Sequence, residues 1–351
     1  MPSITKPRIP LLPLARNELG LTLQDYQGGM STLCAGCGHD SITAALIQAF
    51  FELSLPPHMI AKLSGIGCSS KTPAYFVSSA HGFNSVHGRM ATIATGAGAA
   101  NRELVLVGVS GDGDSLSIGL GNLAHAIRRN VNMAYLIENN GVYGLTKGQF
   151  SASADLGSQS RRGEANRLQP VDPIMLGLSL GATFLARGFS GDKLQLVPIL
   201  KAALTHQGFA LVDVISPCVQ FNDHEGSTKS YRYVRDHELR EIEADFIGQH
   251  DEIVEPLASD RATEVTMHDG SRVKFRAVPE GYDPGDRGQV EAYLRERTGH
   301  GEIATGLLLL DESRPDMHRL AGTPPSGLAQ LPFSKLCPGS AELEKLQDTF
   351  R

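Results

Sequence analysis

Four cysteines and two polar turns carry most of the chemistry available to this sequence. Cys34 and Cys37 form a CxxC pair within CAGCGH, residues 34–39. Cys68 lies in SGIGCSSKTP and Cys218 in ISPCVQ, each at the end of an expected strand. Thiolates are soft ligands, so a meeting of all four suits zinc or a [4Fe–4S] cluster. Spacing leaves zinc, a cluster and free or redox-active thiols all open. Structural zinc sites usually bring two close pairs. Only one pair is close here, which favours a cluster anchored on a preformed domain. Cys337, in KLCPGS, has no partner in this arrangement and is expected as a free or packed thiol.

The second pattern is VSGDGDSLSIG, residues 109–119, which follows an apolar strand pattern and precedes a helical one. Gly111 and Gly113 allow close backbone approach to a diphosphate, and a helix start offers free N–H groups. Asp112 would repel a bare diphosphate, but a hard divalent cation between the two resolves the conflict. The next apolar run ends in ENNGVYG, which places Asn140 28 positions after Asp112. That spacing runs from one strand end through a helix to the next strand end. An amide oxygen of Asn140 and the carbonyl of Val142 are suitable further ligands for Mg2+. GDG followed by NN at this distance points to thiamine diphosphate; the plainer alternative is two polar turns at a sheet edge. A dinucleotide site is the competitor, but no GxGxxG follows the first strand, and GAGAA falls inside a helical pattern. The expected cofactor-binding set is Gly67, Cys68, Ser69, His87, Gly111, Asp112, Gly113, Asp114, Ser115, Asn140, Val142, Gly144, Leu145 and Thr146. His87 and Arg89, in VHGR at a helix start, are candidates to bond the diphosphate or donate a proton. Lys147, in GLTKGQ, is the candidate contact for a distal substrate carboxylate. A helix-capping histidine and a solvated loop lysine are the plain alternatives.

These residues need a scaffold that brings strand ends together. DSITAALIQAFF reads as a helix over residues 40–51 with Asp40 or Ser41 as its cap. MIAKLSGIG, ELVLVGVSGDGD, VNMAYLIENN, ATFLARG and FALVDVISPC read as strands, separated by helical patterns such as GRMATIATGAGAANR and KLQLVPILKAALTHQG. Near-continuous apolar strands alternating with helices predict an α/β fold, a parallel sheet with helices on both faces. Residues 1–30 read as a proline-interrupted arm, 31–240 as the cofactor-binding domain, and 241–351 as a more charged C-terminal extension.

The chain has 351 residues, 41% hydrophobic, with 38 glycines, five cysteines and a formal net charge of −6. A nucleic-acid surface is not expected from that charge, nor a disulfide-stapled secreted domain from so few cysteines. No apolar stretch reaches membrane-spanning length and prolines interrupt the N-terminus, so a cytoplasmic protein is expected.

In combination, CAGCGH, SGIGCSS, NSVHGRMATIATG, SGDGDSLSIGLGNLAHAIRRN, ENNGVYGLTKGQ and ISPC resemble the beta subunit of 2-oxoacid:ferredoxin oxidoreductases, most closely the 2-oxoglutarate enzymes. The segments run from residue 34 to residue 218. The resemblance implies a thiamine diphosphate-binding fold in which Asp112, Asn140 and the Val142 carbonyl hold Mg2+, while Cys34, Cys37, Cys68 and Cys218 hold a [4Fe–4S] cluster. It implies interconversion of 2-oxoglutarate, CoA and oxidised ferredoxin with succinyl-CoA, CO2 and reduced ferredoxin, in either direction, including that of a reductive TCA cycle. It also implies a partner alpha, or fused alpha/gamma, subunit in a heterodimer or dimer of heterodimers. No glutamate of this chain falls where one would activate the thiamine pyrimidine, so the partner is expected to supply it. Pyruvate or another 2-oxoacid is the substrate alternative. A ferredoxin-independent thiamine decarboxylase or synthase, or a non-catalytic metal-binding assembly subunit, are the alternatives of other classes.

Overall fold

The computed structural model describes residues 14–160, 162–249, 264–277, 279–337 and 339–351. Its strands are β1 (Ile60–Ser64), β2 (His81–Asn84), β3 (Val105–Gly111), β4 (Met133–Asn139), β5 (Val142–Tyr143), β6 (Gln149–Phe150), β7 (Phe184–Phe189), β8 (Phe209–Ile215), β9 (Glu238–Ile247), β10 (Glu264–Thr266), β11 (Arg272–Ala277) and β12 (Ile303–Leu310). The principal helices are α1 (Gly38–Glu52), α2 (Met90–Ala100), α3 (Leu120–Arg129), α4 (Pro173–Leu180), α5 (Lys193–Thr205), α6 (Tyr231–His237) and α7 (Arg287–Gly299).

Ten strands form one sheet in the order β10-β11-β9-β12-β7-β8-β4-β3-β1-β2, and β5 and β6 form a separate hairpin. From β7 to β2 every neighbouring pair is parallel. Strands β1, β4 and β8 are buried along their whole length, as expected of parallel strands covered on both faces. Helices α1 and α5 pack against each other in one layer; α2, α3, α4 and α7 follow one another in a second. Asp172 caps α4 by accepting from the amides of Ile174 and Met175, with Pro173 fixing the first turn.

Four adjacent parallel strands, β8-β4-β3-β1, end in a row. Cys218 follows β8, Asn140 follows β4, Asp112 follows β3 and Cys68 follows β1. The carboxyl edge of such a sheet is where open α/β folds bind ligands.

The expected alternation is found, with three differences. Helix α1 starts earlier than the predicted cap: Cys37, not Asp40 or Ser41, precedes its first residue, and Asp40 lies within its first turn. The chain swings through Gly36 at φ +80° and enters the helix directly from the CxxC turn. Second, the sheet continues across the boundary expected near residue 240. That position lies inside β9, and β12 pairs with both β9 and β7. The IATGLLLL run of β12 is buried and nearly all apolar, so it lacks the two-residue alternation that marks a half-exposed strand. Third, residues 14–30 of the expected arm are stitched to the core. Tyr26 is fully buried and donates its hydroxyl to Leu55 O at 2.9 Å. A Cβ on Gly28 would fall 2.3 Å from the Tyr75 backbone. Residues 1–13 of the arm lie outside the described residues.

One buried cation secures the wall behind the β1 edge. Lys62 donates from Nζ to Phe76 O at 2.7 Å and Val77 O at 2.8 Å, and lies 5.6 Å over the Phe76 ring. Burial pushes its ammonium below the usual lysine range. The two carbonyls belong to a turn in which Val77, a β-branched residue, is held at φ +35°. Lys62→Met keeps the stem and removes the donors, so a loss of about 1–3 kcal/mol is expected for the stranded acceptors. Thermal unfolding of wild type and variant reads it; an unchanged or raised Tm would show that the turn does not depend on the amine.

Candidate functional site

The row of strand ends frames two cavities that touch. The first is a narrow cleft of about 60 Å³ lined by Gly67, Cys68, Ser69 and His87 on one side and by Gly111, Asp112, Gly113 and Asp114 beneath. Asn140, Val142, Gly144, Leu145 and Thr146 close it, together with Ile66 and Tyr143. The second, of about 190 Å³, is lined by Cys34, Cys37, Cys68 and Cys218, with His39, Lys71 and Phe221 among its walls. Cys68, Asn140, Gly144 and Leu145 line both.

Asp112 lines the first cavity and is almost fully buried. Its Oδ2 accepts from Gly141 N at 2.9 Å and from the hydroxyls of Ser151 and Ser153, each at 2.5 Å. Among the described residues its Oδ1 accepts no hydrogen bond and no Lys, Arg or His pairs with the carboxylate. A buried carboxylate needs a counter-charge, and a divalent cation at Oδ1 would supply one. Asn140 follows, with Oδ1 accepting from Val142 N at 3.0 Å, and Asn222 fixes the turn by donating to Asn140 O at 2.8 Å. Gly113 starts a π-helical turn, Gly113–Ile118, of the kind often found at functional sites. It has no room for a side chain, since a Cβ would meet the Tyr143 ring at 2.5 Å, and Tyr143 donates its hydroxyl to Gly113 O.

The four expected thiol ligands share the second cavity, and none forms a disulfide. Burial, and after it the neighbouring Glu138, Cys218 and Cys68, push the Cys37 thiol up to about 12. Cys68 and Cys218 are raised too, again by burial first. Such a quartet ionises together only around a ligand that brings positive charge. Among the described residues, no three His, Cys, Asp or Glu side chains converge as a single ion would require. A cavity lined by four thiols suits soft-metal chemistry, zinc or an iron–sulfur cluster.

Buried polar groups adjoin this cavity, His39 among its walls. His39 Nδ1 is 2.6 Å from Ser216 Oγ, and its Nε2 is 3.1 Å from Ser69 Oγ. Burial lowers the His39 pKa to about 4, so the ring is neutral at physiological pH. Thr72 donates to Glu138, whose carboxyl burial pushes well above the usual range. Glu138 therefore lies inside the fold and does not line the first cavity.

The structure sorts the other candidates. Asp114 lines the cleft, but Oδ1 accepts from Ile66 N and Gly88 N and Oδ2 from Ser110, so it staples three turns together. Ser115 is buried away from the cleft, 2.9 Å from the Tyr135 hydroxyl. His87 is exposed and lines the cleft. Arg89 is exposed, donates to Gly88 O and lines neither cavity. Lys147 is exposed at φ +80° and also lines neither. Thr146 lines the rim and donates to Gln149. Sequence reasoning missed Ser151, Ser153 and Tyr143. The two serines follow the ENNGVYG turn in a stretch with no strand or helix pattern, and nothing in their spacing marks them as partners of Asp112.

Gly144 is the thinnest part of the shared wall. A Cβ there would lie 3.4 Å from Cys68 Sγ and 3.7 Å from Cys218 Sγ, ordinary contact for the chain itself. Gly144→Ala is expected to leave the fold intact while intruding on the space between the thiols. Iron and sulfide analysis of anaerobically purified protein should show several-fold less of both; wild-type iron content would remove Gly144 from the wall of the cluster site.

Comparison with known proteins agrees with this geometry. The family model for the thiamine pyrophosphate enzyme C-terminal TPP binding domain matches residues 65–214. The chain is 43% identical over 209 residues to a 2-oxoacid:ferredoxin oxidoreductase subunit beta of Saccharolobus solfataricus, covering 59% of this chain and 68% of the relative. It is 42% identical over 191 residues to the 2-oxoglutarate oxidoreductase subunit KorB of Mycobacterium tuberculosis, covering 54% of this chain and 51% of that one. These alignments thus span between about half and two thirds of the curated relatives. The fold superposes on 2-oxoglutarate:ferredoxin oxidoreductase from Magnetococcus marinus, solved with 2-oxoglutarate, coenzyme A and succinyl-CoA bound, with a TM-score of 0.71 at 30% identity. That match covers 88% of this chain and 91% of the other. Likeness at both levels, over a region that includes the cleft, places this chain in the family of 2-oxoacid:ferredoxin oxidoreductase beta subunits.

Proposed function

We propose that this chain is the cofactor-carrying subunit of a 2-oxoglutarate:ferredoxin oxidoreductase, interconverting 2-oxoglutarate, CoA and oxidised ferredoxin with succinyl-CoA, CO2 and reduced ferredoxin. The observation that carries the reading is the shared wall. Cys68, Asn140, Gly144 and Leu145 face both a carboxylate-based cleft and a four-thiol cavity, which is the proximity electron transfer requires. Thiamine diphosphate bound in the cleft would supply an electron sink for decarboxylation, and a [4Fe–4S] cluster held by the four thiols would supply one-electron acceptance.

The chain's own residues divide the work. Asp112, Asn140 and the Val142 carbonyl are assigned to Mg2+, with Asp112 aimed by Ser151, Ser153 and Gly141. Gly111 and Gly113 let the backbone approach the diphosphate. Cys34, Cys37, Cys68 and Cys218 hold the cluster. His87, on the open side of the cleft, is placed to bond the diphosphate or hand a proton to a substrate oxygen. Lys147 would reach a distal substrate carboxylate only from the loop outside the cleft; Arg89 has no such position and serves the helix start.

The cleft is incomplete by itself. At about 60 Å³ it accepts a diphosphate head, far less than the several hundred Å³ of an ordinary cofactor pocket. No glutamate lines it among the described residues. Phe83, Val86 and Ile118 are exposed apolar side chains on the segments beside it, and β2 is an exposed sheet edge. An alpha subunit covering this side would complete the pocket and supply the pyrimidine-activating glutamate. Among the described residues no helix is long and apolar enough to cross a membrane.

Asp112→Ala is the direct test, in protein co-produced with its partner under anaerobic conditions. Thiamine diphosphate retention should be abolished with iron and sulfide unchanged. Retention of both cofactors would overturn the assignment of the cleft. Turnover of 2-oxoglutarate against pyruvate by the assembled enzyme tests the substrate; preference for pyruvate would sink the 2-oxoglutarate reading.

A further inference from the structure

A line of buried polar groups runs from β7 to Asp112. Arg187, on β7, donates from Nε to Asp213 Oδ2 at 3.1 Å and from Nη2 to Asp172 Oδ1 at 2.7 Å. Asp213, on β8, accepts at Oδ1 from Asn139 Nδ2 at 3.0 Å. Asn139, the last residue of β4, presents Oδ1 to Ser153 Oγ at 2.9 Å. Ser153 Oγ lies 2.5 Å from Asp112 Oδ2. Arg187, Asp213, Asn139, Ser153 and Asp112 are each more than nine-tenths buried. Every step is within hydrogen-bond distance, and the line crosses three neighbouring strands whose register is fixed by the sheet.

Hydrogen-bond chemistry gives the line a direction. Arg187 can only donate, so Asp213 faces it as an acceptor. A carboxylate beside a guanidinium also accepts from Asn139, which must therefore turn its NH2 toward Asp213 and its carbonyl oxygen toward Ser153. The serine has a single hydroxyl proton, with Asn139 Oδ1 and Asp112 Oδ2 both in reach. Its orientation, and with it the placement of Asp112, is tied to the way Asn139 is turned. The packing need at this place is met more cheaply without charge. A buried Asp–Arg–Asp group loses solvation that its mutual attraction seldom more than balances. Burial pushes Asp213 up while Arg187 pulls it down, with a net rise, whereas Arg187 prevails at Asp172 and leaves it lowered. The same residues line a cavity of about 370 Å³ that shares no lining residue with the cofactor cleft, so the group is not filler for the cofactor pocket.

We propose that Arg187 and Asp213 are positioning residues for the divalent cation, acting through Asn139 and Ser153 to fix the free oxygen of Asp112. The inference rests on the assignment of Asp112 to Mg2+ made above. Partners one step behind a metal ligand orient it, and their loss costs about 10–100-fold in metal affinity.

The test measures the Mg2+ concentration that half-saturates thiamine diphosphate binding to the full, partner-bound protein, by equilibrium dialysis, with iron content determined on the same samples. Asp213→Leu and Ser153→Ala are each expected to raise that concentration about 10-fold with iron unchanged. Asp213→Asn keeps one acceptor for Asn139 but turns its NH2 toward Arg187, and should raise the concentration less than Asp213→Leu does. The Asp213→Leu/Ser153→Ala double variant should shift the concentration no further than the more strongly affected single variant does, because the two act on one line. An unshifted Mg2+ requirement in either disruptive single variant, or a double effect equal to the product of the two, overturns the proposal. Should Asp213→Leu fail to fold, Asn139→Ala with Ser153→Ala provides the same cycle, read by the same criteria. If Asp112→Ala itself keeps thiamine diphosphate, the reading of the cleft is at fault; if Asp112→Ala releases it while these variants bind Mg2+ normally, only the positioning role falls.

Discussion

Parallel register is the constraint on which the site depends. In an antiparallel sheet, successive strand ends point in opposite directions and the residues that follow them scatter to two edges. Here β8, β4, β3 and β1 run side by side in one direction. Cys218, Asn140, Asp112 and Cys68 are therefore delivered to one edge although they are spread over 150 residues of sequence. Nothing local holds those four together; the ladder of backbone hydrogen bonds between strands does.

Charge is the second organising fact. The carboxylate of Asp112 takes three donors on one oxygen and has no cationic neighbour among the described residues, and the thiols beside it resist ionisation because burial and mutual repulsion oppose it. Each half of the site presents groups that a positively charged ligand would balance. The buried groups adjoining the thiols are balanced differently: His39 is kept neutral by burial, and Glu138 is pushed toward its protonated form.

The side chains behind Asp112 show how far the sheet reaches into the site. Ser153 comes from the loop after β6, Asn139 from β4, Asp213 from β8 and Arg187 from β7. A chain of side chains that crosses three strands can hold an exact length only if the strands do not slip, and a central parallel sheet buried on both faces slips least. The incomplete part of the site lies at the opposite extreme. β2 at the sheet edge is exposed along its whole length, and the cleft beside it is open where a second chain would close it.

The sequence by itself determined the alternation of strands and helices, the two motif turns and the identity of the ligand-type residues. Those signals are local: an apolar run, a glycine turn, a CxxC pair and a GDG each act over a few residues. It did not determine that β12 enters the sheet, because IATGLLLL carries no alternation, nor that α1 begins at Gly38 directly after Cys37, because a φ of +80° at Gly36 sets the entry. Tertiary structure alone decided that Asp114 and Ser115 serve the fold while Asp112 serves the cleft, since only packing shows which oxygens are already occupied. It alone brought Ser151 and Ser153 to Asp112 and left Lys147 and Arg89 outside. A serine in an irregular loop has no spacing to read, and its partner 41 positions away in the chain is found only by the distance between them in the folded molecule.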